Sequence, residues 1–215
     1  MPPYNRLTFF LFAAVMAVVI WSGIAPKERL TWWLEVAPTL IGLVVLFALR
    51  KRFRFTPLLQ TLIAAHMILL AVGGHYTYAE VPIGDWFRDT FRLGRNHYDR
   101  LGHFAQGFVP ALIAREIIRR RDIIPSRGWT AFFAFCTAMT ISAVYELIEW
   151  ITATIYGQNA DAFLGGQGDL WDTQKDMACA LVGAVAALLL LSRWHDRQIA
   201  TTTAPNAGPT RESVA

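Results

Sequence analysis

A run of about 20 mostly apolar residues, wound as a helix, crosses a hydrocarbon layer roughly 30 Å thick. A chain made of several such runs has few folds open to it. Backbone N–H and C=O groups meet no water inside hydrocarbon, so only helices and closed barrels satisfy them there. Six candidate runs stand in this sequence, at 7–24, 33–49, 57–76, 103–118, 129–155 and 172–194. The second and fourth are short. The fourth carries Gln106, Pro110, Arg115 and Glu116, which marks it as kinked or only partly embedded. Composition agrees with the runs: 54% of residues are hydrophobic and 17% charged, against about 25% charged in soluble domains. The expected fold is all-α, a polytopic membrane helix bundle of about six transmembrane helices.

The first run is too long for a secretory signal, has no small-residue cleavage site before Lys27, and is followed by further spans, so it reads as a retained helix. Basic residues set the orientation. The RKRFR cluster at 50–54 and the RRR cluster at 119–121 abut the ends of the second and fourth runs, and the positive-inside rule places both loops, and with them both termini, in the cytoplasm. The net charge of +4 follows from that topology and from contact with anionic membrane lipids, with no need for a nucleic-acid partner. Protein partners leave no recognisable signal. Residues 1–200 form one transmembrane domain without internal repeat, and 201–215, TTTAPNAGPTRESVA, read as a disordered cytoplasmic tail. Cys136 and Cys179 fall at different depths and suit core positions, not a disulfide.

Two longer segments lie on the external side. In 77–102, Ile83, Trp86, Phe87, Thr90 and Phe91 share one helical face and Arg88, Asp89, Arg92 and Arg95 occupy others, the pattern of a short interfacial helix. Arg88, Arg92 and Arg95 are candidate headgroup-binding residues. The second segment, 156–174, carries Asp161, Asp169 and Asp172 around GGQGD.

The stretch NHYDRLGHF at 96–104 puts Asp99 and His103 four residues apart, on one face of a helix starting nearby. His75 closes the third run at the same level. YELIEW sets Glu146 and Glu149 three apart in the outer part of the fifth run, and the sixth begins with Asp172 and Asp176. Four helices thus bring acidic or imidazole groups to one depth, where each charge costs about 2.5–3.5 kcal/mol unless offset. The inference is an outward-facing polar cavity. The structural alternative pairs Glu146 and Glu149 with loop arginines such as Arg95 or Arg100. His66, alone mid-helix, reads as a packing residue bonded to backbone, Gln106 and Glu116 remain ambiguous, and Ala180, Gly183, Ala184 and Ala187 read as close helix packing.

The stretches HYTYAEVP, RNHYDRLGHFAQGF, YELIEW and FLGGQGDLWDTQKDM, in this order, resemble the YjdF-type family of bacterial inner-membrane proteins, a family of unknown function, over all but the tail. The resemblance implies a multi-pass protein of the bacterial inner membrane. Asp99 to His103, Glu146 and the run from Asp176 to Gly183 also resemble VanZ-like membrane proteins, implicated in glycopeptide-antibiotic resistance. Glu149 and the GGQGDLW loop depart from that second pattern.

Three function classes fit. In a metal-assisted enzyme acting on a lipid or lipid-linked headgroup, His75, Asp99, His103, Glu146 and Asp176 would hold a divalent metal such as zinc. Glu149 and Asp172 would be the catalytic groups, with His97 and Asp169 as further donors. A binding or transport protein would use the same cavity for a cation, a proton or a headgroup. An accessory subunit would use the cluster only to fix its fold. No HEXXH, CXXC, nucleotide-binding or serine-nucleophile motif is present.

Overall fold

A computed structural model describes residues 6–203, and among them every regular element is helical. They are α1 (Arg6–Ser22), α2 (Arg29–Leu49), α3 (Pro57–Tyr76), α4 (Pro82–Phe91), α5 (Tyr98–Arg120), α6 (Arg127–Tyr156), the single turn α7 (Asp161–Leu164) and α8 (Asp172–Thr203). Of these, α2, α3, α6 and α8 are long and apolar enough to cross a membrane, and α1 is a shorter apolar helix. Side chains such as Phe9, Val44, Leu189 and Leu190 are more than half exposed, the outward surface of a bundle that meets hydrocarbon instead of water.

Each of the six runs forms a helix, with ends set by chemistry that hydropathy does not register. The second begins at Arg29, four residues before the run, because the Glu28 carboxylate accepts from the Leu30 and Thr31 N–H groups, a cap for otherwise orphaned donors. The fourth begins at Tyr98, five residues before the run, because the Asn96 carboxamide accepts from Tyr98 N–H at 3.0 Å. Asp99 and His103 therefore both stand on α5. The last helix runs past Trp194 to Thr203, so the first three tail residues are helical. The remainder of the expected tail, 204–215, lies outside the described residues.

The core of the bundle is α5, which packs on α3, α6 and most extensively on α8. That enclosure explains how a helix with Asp99, His103, Arg115 and Glu116 is tolerated: those four side chains are buried in protein, not set against lipid. The approach of α5 to α8 depends on small residues. A Cβ at Gly107 would overlap the Ala180 carbonyl, and one at Gly183 would overlap that of Phe104. Ala180, Ala184 and Ala187 are fully buried, as close helix packing requires.

The apolar core joins α1, α2 and α3 through Val15, Trp32, Val36, Leu59 and Ile63. α4 stands apart, with no buried residue and with Ile83, Trp86 and Phe91 exposed. Cys136 and Cys179 are free thiols.

Candidate functional site

The ends of α5 and α8 nearest the long loops are clasped before any site residue is placed. Gln167 accepts from Asn96 N–H at 3.0 Å and donates to the Asn96 carbonyl at 2.9 Å. Asn96 also donates to the Val81 carbonyl and to Asp85. Arg95, buried, donates to the Gly165 and Gly166 carbonyls and to Asp172. Arg100 and Lys175 both bond Asp169. The Lys175 hydrogen bond, joined by the Trp171 N–H and the Arg100 charge, holds the Asp169 carboxyl below the usual carboxylate range.

Beneath the clasp, Asp99, His103 and Asp176 are all buried, and one ligand atom from each lies within 4.8 Å of the others. His103 sits between two carboxylates: Nε2 is 3.5 Å from Asp99 Oδ1, and Nδ1 is 3.5 Å from Glu146 Oε1. Both distances are long for hydrogen bonds. Asp99 Oδ2, His103 Nδ1, Asp176 Oδ1 and both Glu146 oxygens are enclosed yet have no hydrogen-bond partner. Buried polar groups are nearly always satisfied, so a group of unsatisfied ones at one point sets this cluster apart from the rest of the bundle. Glu149, buried, stands three residues beyond Glu146 on the same helix.

Of the five expected metal ligands, Asp99, His103 and Asp176 converge here, and Glu146 stands beside His103. His75 does not: its ring stacks on Trp21 at 4.4 Å between centroids and its Nδ1 contacts the Ser22 carbonyl at 3.0 Å, so it fastens α3 to α1. Asp172 is engaged by Arg95 and is a clasp residue, not a free base. Arg95, expected at headgroups, points inward for the same reason. Arg88 is paired with Asp85 and Asp89 on α4, and exposed Arg92 adopts a left-handed conformation that ends that helix. The structural alternative for the glutamates is not realised among the described residues, since the hydrogen bonds of Arg95 and Arg100 go to Asp172, Asp169, His97 and loop carbonyls, and Arg95 lies 3.7 Å from Asp99 Oδ2. His97 accepts from Arg100 at 3.2 Å. Burial, with Arg100 and Arg95 nearby, pushes its imidazole pKa down.

Sequence reasoning missed Glu35. It is buried on α2, accepts from the Tyr145 hydroxyl at 2.9 Å, and lines a cavity of about 380 Å³ together with Asp99, His103, Tyr78 and Tyr145. The signal was present: a single carboxylate in the apolar stretch TWWLEVAPTL, which in a membrane span warrants a functional reading. His66, expected to bond backbone, lines the same cavity with its Nε2 unpartnered.

Over residues 7–197 the chain matches the family described as "Predicted membrane protein (DUF2238)". It is 52% identical over 182 residues to inner membrane protein YjdF of Escherichia coli K12, a match spanning 85% of this chain and 87% of that protein. No solved structure matches.

Proposed function

The chain belongs to the DUF2238 family of predicted membrane proteins, and from that premise we propose that it is a metal-assisted inner-membrane enzyme acting on a lipid or lipid-linked headgroup. The observation that carries the reading is the convergence of Asp99, His103 and Asp176, with unpartnered oxygens and nitrogen, in a buried pocket. Two ligands about 2.1 Å from one ion stand at most ~4.2 Å apart, so small side-chain rotations close the set. A divalent metal on His103 Nε2 would leave Nδ1–H to donate to Glu146, the carboxylate behind the histidine that fixes the ring in metal sites. Such an ion would lower the pKa of a bound water, and Glu149, one turn away, is the candidate to take its proton. Arg95 and Arg100, held by Asp172 and Asp169, close the pocket above.

In this reading all six long helices span the bilayer, including α1 and α5. RKRFR at the end of α2 and RRR at the end of α5 face the cytoplasm, the site faces outward, and α4 lies in the interface with its bare aromatic face among headgroups. A reporter active only in the cytoplasm should work when fused after Arg54 or Arg121 and fail in the 92–95 turn. The central test is the metal content of protein purified in detergent without chelator. One equivalent of divalent metal is expected, with loss of binding in Asp99→Asn, His103→Ala and Asp176→Asn but not in His75→Ala. Metal-free protein that cannot be loaded would sink the enzyme and favour a cavity that binds protons or a cationic headgroup.

A further inference from the structure

The cavity beside the cluster has a shape that the metal reading does not use. From Asp99 and His103 it follows three helices in the same direction: along α5 past Gln106 to Pro110, along α2 from Glu35 to Pro38, and back along α6 from Tyr145 to Thr140. Seven residues of α5 separate His103 from Pro110, a rise of about 10 Å. Its floor is α3, at His66 and Leu70. Its open side lies between α2 and α6, because α2 packs on α3 and α7 but has no extended packing on α6. Pro38, Ile141, Val144 and Ile148 form the rim, and all four are exposed at the level of the apolar spans.

The chemistry changes along this length. The cluster end is ionic. One turn further in, Gln106 Oε1 and His66 Nε2 are enclosed without partners. Pro38 and Pro110 also remove the N–H groups that would have engaged the carbonyls of Leu34 and Gln106. Beyond that point the walls are hydrocarbon apart from Thr140, whose hydroxyl is taken up by the Cys136 carbonyl. A charged end, a hydrogen-bonding zone about 4.5 Å below it and an apolar trough open to the bilayer match the headgroup, ester linkage and chain of a phospholipid.

We infer that the crevice between α2 and α6 is the lateral entrance of the site and takes one acyl chain of a membrane phospholipid, with the headgroup at the His103 cluster. This rests on the proposed headgroup chemistry and names its substrate class. The linkage region of the lipid lies beside Gln106 and His66. Tyr145 meets the His103 ring edge-on at 6.1 Å between centroids and donates to Glu35 across the α2–α6 crevice, so this pair closes the crevice at the level of the cluster and the chain enters below it. The rest of the lipid stays in the bilayer, since about 380 Å³ holds only part of it.

The test uses the full chain in vesicles of phosphatidylethanolamine and phosphatidylglycerol that contain phosphatidylethanolamine with a photoactivatable diazirine midway along one chain. The wild-type protein should be labelled at Pro110, Ile141 and Val144 in excess of the lipid-facing pair Leu189 and Leu190. Val144→Trp, which fills the crevice from an exposed position, should cut crevice labelling several-fold and leave Leu189 and Leu190 as before. Gln106→Leu should weaken it less. Labelling spread evenly around the bundle, or unchanged in Val144→Trp, overturns the entrance. Metal content measured on the same samples separates the two ideas: crevice labelling without metal sinks the metal reading and keeps the entrance, and bound metal without crevice labelling does the reverse.

Discussion

The α5–α8 pair carries a buried polar cluster near each end, and the two are built on opposite terms. At the end nearer the RRR segment, Glu116 and His195 are fully buried and completely engaged. Glu116 accepts from Thr56 N–H at 2.9 Å, Thr56 Oγ1 at 2.8 Å, Arg120 at 2.9 Å and His195 Nε2 at 2.8 Å. Arg115 donates to His195 Nδ1 and Asp196. Because Arg115 has no lone pair to offer, Nδ1 accepts and Nε2 carries the hydrogen that goes to Glu116. At the other end, five atoms of Asp99, His103, Glu146 and Asp176 have no hydrogen-bond partner, and their ion-pair contacts are long, at 3.5 Å between His103 and Glu146 and 3.7 Å between Arg95 and Asp99. A satisfied network rigidifies a fold, whereas a partly satisfied one is costly unless something else completes it. The same two helices thus hold a staple and a socket.

The largest expected effect is at the staple. Glu116→Ala strands Arg120, His195 and two Thr56 donors, and breaking a buried charge pair from one side costs about 3–5 kcal/mol. Thermal unfolding in detergent should show that loss, with little folded protein recovered. A variant as stable as the wild type would mean the staple is decorative. Gly107→Ala comes next. It drives a methyl into the Ala180 carbonyl, and overpacking of this kind costs roughly 1–3 kcal/mol. Since both clusters depend on the α5–α8 approach, it should weaken thermal stability and, if the proposed metal is bound, its retention together, and loss of only one would uncouple them.

At the socket the sign should change. Glu146→Gln removes one of several crowded carboxylates, so with chelator present unfolding should be harder than, or at least no easier than, in the wild type. A clear destabilisation would make Glu146 part of the fold and erase the contrast. The smallest effect concerns the clasp above the socket. Because Lys175 and its neighbours depress the Asp169 pKa in the folded state, this contact contributes above the ordinary carboxylate range and is lost as pH falls through the depressed value. Lys175→Ala should move the Asp169 carboxyl resonance to titrate at higher pH, and an unmoved titration would leave Lys175 without a role in the clasp.

Helix existence was legible because apolar run length responds directly to the bilayer, and the gathering of Asp99, His103, Glu146 and Asp176 was legible because charge in such runs is conspicuous. His75 misled because its level along α3 was readable but its azimuth was not: Trp21 and Ser22 on α1 decide where the ring goes. Arg95 misled because a basic residue in an amphipathic loop looks the same whether it meets phosphate or Asp172. His195 was invisible, lying past the end of the predicted sixth span, and Glu35 was legible but passed over.

By itself, then, the sequence determined an all-helical chain with acidic and imidazole groups gathered at one end, since hydropathy, charge and i,i+4 spacing are local properties. Only the tertiary structure decided which of those groups are spent and which are left open. A hydrogen bond belongs to two residues at once. Glu116 and Glu146 are the same side chain on neighbouring helices, and it is the presence of Thr56, Arg120 and His195 around one and their absence around the other that separates an engaged cluster from an open one.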